Sequence, residues 1–558
     1  MKTDLPQPFV ERMQELLGGE FDRFMASYDE PRLYGLRINP LKINAEDWKE
    51  LSPIAESAKP IPWTPTGYYY SRDDRPAKHP HYNAGLYYIQ EPSAMAPVEL
   101  LDVRPGHRVL DLCAAPGGKS TQIAGKLQGK GVLVANDNGA ERTKALAKNI
   151  ELAGVRNAVI LNEEPSNLAP KFAGWFDRIL VDAPCSGEGM FRKEESMIAA
   201  WESYKVEVCS KMQHDILRHA ADLLAPGGRL VYSTCTFAPE ENEAQIARFL
   251  VDRPDFEVME AELKDGWRRG RPDWIEEKRD GDAAWEEAVK ATAGTVRLWP
   301  HWIKGEGHYV AVLRRKAEAG PFGTNAADPA GADRPWAEPQ EEASWGLKGK
   351  KASGGADRAD KRYNRHSGEE AYIRAGVKER RSGGKPAGGG RLGKSAKFAK
   401  EASFDPAEAW AAFARDVLRG VPEPDARIIA YGARLFLQPV GVPELEGLKV
   451  VRPGWYIGDA EKGRFAPSQA LALGLKRGQA AWSLNWAPED EQLIRYLKGE
   501  TLFVDSSDIV PADRADEGGR NGSPRGYILI CVDGYPIGWG IYADGTLKNK
   551  LPAGWRVL

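Results

Sequence analysis

Five short apolar runs, Val109-Leu110-Asp111-Leu112, Val132-Leu133-Val134-Ala135, Ala158-Val159-Ile160-Leu161, Ile179-Leu180-Val181 and Leu230-Val231-Tyr232, recur between stretches of helical periodicity. Runs of this length, rich in branched residues, suit parallel strands covered on both faces. Between them, the stripe Leu146, Ile150, Ala153 and the stripe Cys209, Met212, Ile216, Ala220, Leu223 each trace one buried helix face. Cys209 is thereby read as core. A βαβαβ order with right-handed crossovers predicts an α/β, doubly wound sheet over about residues 107 to 250, with ligands beyond the carboxyl ends of its strands.

The chain of 558 residues, 42% hydrophobic with 17 Trp, is long enough for several domains. Its start, Met1-Lys2-Thr3-Asp4-Leu5-Pro6, lacks an apolar leader, and no stretch approaches the ~18 apolar residues of a membrane span. A cytoplasmic protein without membrane association is expected. The five cysteines (Cys113, Cys185, Cys209, Cys235, Cys531) are odd in number and contain no CxxC pair, so neither a disulfide framework nor a metal site is expected. Residues 346 to 400 hold 16 Lys or Arg against 5 Asp or Glu within a chain of net charge -3. This Gly- and Ser-rich stretch cannot bury enough apolar surface to offset its ordering entropy. It is read as a tether between modules and as a polybasic contributor of salt-sensitive phosphate affinity. The resulting partition is an N-terminal subdomain (1–100), a central domain (101–315), a basic linker (316–402) and a mainly β C-terminal region (403–558).

The first strand turns into its helix through Asp111-Leu112-Cys113-Ala114-Ala115-Pro116-Gly117-Gly118-Lys119-Ser120. Gly117 and Gly118 allow close backbone approach, and the helix start offers free N–H groups. The dinucleotide pattern GxGxxG is absent, and the phosphate-loop pattern is broken because Cys113 stands where its first glycine belongs. S-adenosylmethionine fits best. Asp137, ending the second strand, can accept both ribose hydroxyls, the alternative being a helix N-cap before Ala140.

Two further strand ends carry thiols, in Asp182-Ala183-Pro184-Cys185-Ser186-Gly187 and Ser233-Thr234-Cys235-Thr236. Carbon 5 of cytosine becomes nucleophilic only after a thiolate adds at carbon 6, so a cysteine at the ligand edge is what cytosine-5 methylation requires. Asp182 can accept from the cytosine amino group as a carboxylate or donate to the ring nitrogen if protonated. Spacing alone leaves open which thiol attacks. The target base must leave its stack, and Arg37, Lys42, Arg192 and Lys193 are candidate phosphate contacts. Phe191 is wall or core, and His308 is read as a structural histidine within reach of the site.

The motifs DLCAAPGGKSTQIA, VDAPCSGEGMFRK and LVYSTCTFAPEENE resemble those of the RsmB/RsmF/Sun-type (Nop/Sun) RNA (cytosine-5) methyltransferases. The likeness spans most of residues 30 to 315, including Leu36-Arg37-Ile38-Asn39-Pro40-Leu41-Lys42, Tyr88-Ile89-Gln90-Glu91-Pro92-Ser93-Ala94-Met95 and Gly305-Glu306-Gly307-His308-Tyr309-Val310-Ala311. The run Gly534-Tyr535-Pro536-Ile537-Gly538-Trp539-Gly540 with Leu547-Lys548-Asn549 resembles the PUA-like tail of the RsmF-type enzymes. The resemblance implies a Rossmann-like class I methyltransferase domain with a PUA-like C-terminal module. It further implies S-adenosyl-L-methionine held by Cys113, Ala114, Ala115, Pro116, Gly117, Gly118, Lys119 and Asp137, with Asp182 between cofactor and base, Cys235 attacking and Cys185 releasing product. The acid that contacts adenine in the family maps to Glu164 by its distance to Asp182, with Asn162 as the alternative. The implied substrate is RNA, in particular 16S ribosomal RNA within the small subunit, acted on by a monomer. Transfer RNA, or a noncatalytic role in ribosome assembly, are the competing readings.

Overall fold

The computed structural model describes residues 5–192, 197–198, 201, 206–317, 405–420, 422–423, 425–512 and 523–557. The basic stretch 346–400 and Lys193 lie outside the described residues.

The predicted doubly wound α/β sheet is present. Strands β1 (Arg108–Asp111), β2 (Val132–Asn136), β3 (Ala158–Leu161), β4 (Phe176–Asp182) and β5 (Leu224–Thr234) run parallel in the order β5-β4-β1-β2-β3. They contain the five apolar runs. Side chains alternate between two cores: Val109, Leu133, Ala135, Ile160, Leu180 and Val231 enter one, and Leu110, Val134, Val159, Ile179, Val181 and Leu230 the other. This period of two explains the continuous hydrophobicity, since neither face meets water. Beyond β5 the sheet continues with β6 (Phe256–Val258), β7 (Arg268–Arg269), β8 (Val296–Leu298) and β9 (His308–Arg315). Strand β9 is antiparallel to β5 and sets Tyr309 opposite Thr234.

Four helices cover the sheet: α1 (Gly118–Leu127), α2 (Ala140–Leu152), α3 (Val206–Leu223) and α4 (Glu243–Asp252). Cys209 is buried on α3, as are Ile216, Ala220 and Leu223, but Met212 is 36% exposed. Its place on the buried face belongs to Gln213, which is fully buried. The amide is there because it has partners in the catalytic loops, described below.

The N-terminal region supplies helices Gln7–Leu17 and Phe21–Ala26 and a four-stranded antiparallel sheet ordered Lys59–Pro60, Gly67–Tyr70, Tyr34–Ile38, Tyr87–Ile89. The C-terminal region is largely β, with a four-stranded and a six-stranded sheet. These two regions share one core, in which Leu36, Ile38, Trp48 and Tyr68 meet Leu484, Trp486, Ile528 and Ile537. The C-terminal region also adds strand β10 (Val450–Arg452) to the free edge of β3, antiparallel. Lys449 N donates to Glu163 Oε1 at 2.6 Å, and Asn162 N donates to the Lys449 carbonyl at 2.9 Å. The described residues on either side of the basic stretch therefore belong to one compact unit, so that stretch does not set the distance between separate bodies. No helix among the described residues is long and apolar enough to cross a membrane.

Candidate active site

The turn after β1 is shaped by Gly117, whose φ of +112° lies in the left-handed region that side chains disfavour. A Cβ on Gly118 would come within 3.1 Å of Tyr88 Cε1. The turn is braced from outside the sheet: Arg37 donates to the Gly118 carbonyl at 2.9 Å, to Thr121 Oγ1 at 2.8 Å and to Gln90 Oε1 at 3.1 Å. Asp137 is buried and accepts from Ala115 N at 3.2 Å and Gly139 N at 2.9 Å. The N-cap of α2 is Gly139, so Asp137 does not cap it. Asn162 directs its amide to the Asp137 carbonyl at 2.8 Å, while the exposed Glu164 receives only Asn138 Nδ2 at 3.3 Å.

Three acids converge on this turn. Burial pushes the Cys113 thiol up, and Asp137, Asp111 and Asp182 push it further. Burial also raises Asp111 to about 7, although Ser120 Oγ donates to its Oδ2 at 2.6 Å. The other oxygen, Oδ1, is buried without a partner among the described residues. An acidic turn of this kind repels polyphosphate and suits a ligand carrying positive charge with hydroxyls to donate. S-adenosylmethionine, with its sulfonium, ammonium and ribose, meets that description.

At the carboxyl ends of β4 and β5, Cys185 Sγ and Cys235 Sγ lie 3.3 Å apart. Their approach is held by buried polar side chains that sequence reasoning missed. Glu241 Oε2 accepts from Ser186 N at 3.1 Å and from Gln213 Nε2 at 2.7 Å, while the same amide donates to the Pro184 carbonyl at 2.9 Å. Both peptide neighbours of Cys185 are thus clamped. Glu188 accepts from Thr236 Oγ1 and Phe237 N, both at 2.9 Å, and Gly189 N donates to the Cys235 carbonyl at 2.8 Å. The hydrogen bond to Cys235 raises Cys185 well above the ordinary thiol range, and burial adds to it.

Asp182 stands beside the pair. Burial opposes its charge, but the Lys119 ammonium, then His308, outweigh burial and hold the carboxyl well below its ordinary range. Lys119 Nζ donates to Oδ2 at 2.7 Å, Ser233 Oγ donates to Oδ1 at 2.7 Å, and His308 Nε2 lies 3.6 Å from Oδ1. These contacts favour the carboxylate form of Asp182. His308 lies within reach of the site, as the sequence reading allowed.

Of the four cations nominated from the sequence, the three that lie among the described residues are engaged elsewhere. Arg37 is buried against α1 as described. Lys42 Nζ donates to the Ala84 carbonyl. Arg192 pairs with Glu306 at 2.7 Å and donates to the Ser27 carbonyl at 2.6 Å. Phe191 is core, edge-on to Phe9 at 5.1 Å. The hydrogen-bond partners of these cations are far away in sequence, which is why charge alone misplaced them.

Against known families, residues 98–314 match "16S rRNA methyltransferase RsmB/F", and residues 5–92 match the "N-terminal domain of 16S rRNA methyltransferase RsmF". Residues 412–475 match the "RsmF rRNA methyltransferase first C-terminal domain", and residues 483–557 the "Methyltransferase RsmF PUA domain". Two curated relatives, both named ribosomal RNA small subunit methyltransferase F, come from Erwinia tasmaniensis (36% identical over 328 residues, 57% of this chain and 65% of the relative) and Escherichia fergusonii (38% over 248 residues, 43% and 52%). The chain thus spans less than two thirds of the length of these relatives. A methyltransferase homolog protein from Pyrococcus horikoshii is 28% identical, covers 56% of this chain and 96% of its own, and superposes with a TM-score of 0.47. Four domain matches in consecutive order, from residue 5 to residue 557, place the chain in the RsmB/F methyltransferase family.

Proposed function

We propose that this protein transfers a methyl group from S-adenosylmethionine to carbon 5 of a cytosine in small-subunit ribosomal RNA. The observation that carries the reading is the pair of thiols 3.3 Å apart beside an ionised Asp182. The proposed cofactor groups are Cys113 to Lys119, Asp137 and Glu164, and the cofactor supplies an electrophilic methyl when bound. Residues 1–100 and 403–558 are proposed to dock RNA.

In this reading Cys235 is the nucleophile. What supports the assignment is the likeness of LVYSTCTFAPEENE to the family motif, and the 3.3 Å contact places Cys185 to assist at the Cys235 sulfur. The Cys235 sulfur adds to carbon 6 while Asp182 accepts from the cytosine amino group, and carbon 5 becomes the nucleophilic end of an enamine. Once carbon 5 is methylated, its proton passes to the Cys185 sulfur acting as base, the C–H electron pair re-forms the 5,6 double bond, and the carbon 6 to sulfur bond breaks to free the Cys235 thiolate. The Lys119 contact keeps Asp182 an acceptor throughout.

Bisulfite mapping of cellular RNA with and without the protein tests the reading, and loss of one or more unconverted cytosines in 16S RNA is the expected result. Loss confined to transfer RNA would move the substrate, and an unchanged map would leave a noncatalytic role. For the cofactor, Asp137→Ala is expected to weaken S-adenosylmethionine binding in calorimetry by about 1.5 to 3 kcal/mol, the scale of a hydrogen bond to a charged group. Equal affinity would remove Asp137 from that role, and preferential binding of ATP would overturn the cofactor.

A further inference from the structure

Arg37, Lys42 and Arg192 are engaged inside the protein, which turns attention to the other cations among the described residues. The loop that leads to His308 carries Trp302, and a guanidinium lies over its ring from each of two side chains: Arg268 at 3.6 Å and Arg23 at 3.9 Å from the ring centroid. Arg23 is exposed, and Arg268 and Trp302 are half-buried. Glu20 accepts from Trp302 Nε1 at 2.8 Å and from His301 Nε2 at 3.0 Å, which fixes the indole between them. Among the described residues neither guanidinium has a carboxylate within ion-pair distance.

This is an unusual use of an aromatic ring. Two like charges share it, with the Glu20 carboxylate close to Arg268. Arg268 Nη1 donates to the Trp267 carbonyl at 3.1 Å; stacking restricts both planar forks and leaves their other donors open, so less freedom is lost when an anion arrives. Because Arg side chains already occupy Trp302, the feature suits phosphate better than a stacked base. Trp302 is six positions before His308, which faces Asp182, so its backbone lies within about 20 Å of that of His308.

We propose that Arg23 and Arg268, held by Trp302, form a phosphate clamp for the RNA strand that presents the target cytosine. The inference rests on the RNA-methylating function proposed above and adds the backbone contact that neither sequence motif nor family match assigns.

The test is binding of a cytidine-containing single-stranded oligoribonucleotide to the full chain, followed by fluorescence anisotropy over a range of salt. R23A/R268A is expected to weaken binding about tenfold or more, and to lower the slope of log affinity against log salt by about 1.4, two contacts at ~0.7 each. S-adenosylmethionine affinity should stay unchanged. R23E, at an exposed position where folding is insensitive to charge, is expected to weaken binding beyond R23A. A double variant with the wild-type slope, or R23E with wild-type affinity, overturns the clamp while leaving the proposed function standing. Failure of the wild-type protein itself to bind RNA overturns both.

Discussion

Cys185→Ala is expected to accumulate a denaturation-resistant RNA–protein adduct that forms only with S-adenosylmethionine present. The ring would be attacked and methylated, yet the product would stay attached. Cys235→Ala should give no adduct and lower turnover by more than about a thousandfold, the scale seen when a covalent nucleophile is removed. Replacing both cysteines should abolish the band. The 3.3 Å separation makes the comparison clean, because each sulfur is the other's nearest reactive neighbour. Gel electrophoresis under denaturing conditions with labelled RNA reads the result. A band from Cys235→Ala in place of Cys185→Ala would reverse the roles, and unaltered activity in both variants would reduce the thiols to packing.

Asp182→Asn should lower kcat by about a hundredfold to ten-thousandfold with a smaller change in KM for RNA. The amide cannot accept from the cytosine amino group as a carboxylate does, and Lys119 loses its ion-pair partner. The pH dependence carries a sign. Because the folded-state pKa of Asp182 is depressed, its electrostatic contribution is complete above the ordinary carboxylate range and disappears only as pH falls through the lower folded value. Between about pH 5 and 9 it is constant. Any acid limb of the wild-type rate profile near neutrality therefore belongs to another group, and the Asn variant should keep that limb at reduced height. A limb that vanishes with Asp182→Asn would show that this carboxyl titrates in the working range.

The strands were legible because both faces of the sheet are covered, so Val109 through Tyr232 wrote apolar runs with no polar alternation to confuse them. The cysteines were legible by their position after such runs. What sequence hid was polar burial. A helical stripe scored by hydrophobicity selects Met212 and passes over Gln213, whose burial is justified only by Pro184 and Glu241, 29 and 28 residues away. Arg37 reads as a surface cation until Gly118 and Thr121, more than 80 positions later, are seen to receive it. Glu188 and Glu241 were visible within the two motifs, and their presence in loops that must place thiols was the available signal. Glu163 had no local signal, since its partner Lys449 lies beyond the basic stretch.

Strand β10 and the core shared by the two outer sheets have a bearing on how the polypeptide can be divided. A chain cut anywhere between residues 318 and 404 loses its covalent continuity without losing the edge of β3, the Lys449 to Glu163 hydrogen bond or the packing of Leu36 against the C-terminal sheet. Residues 5–317 and 405–557, made as separate polypeptides, should reassemble into one particle on mixing, and size-exclusion chromatography would show them eluting together. Closing a loop becomes only slowly more costly with length, so the inserted stretch is free to lengthen or shorten across related sequences. In this architecture the peptide bond between the halves is dispensable, and complementarity of surface does the joining.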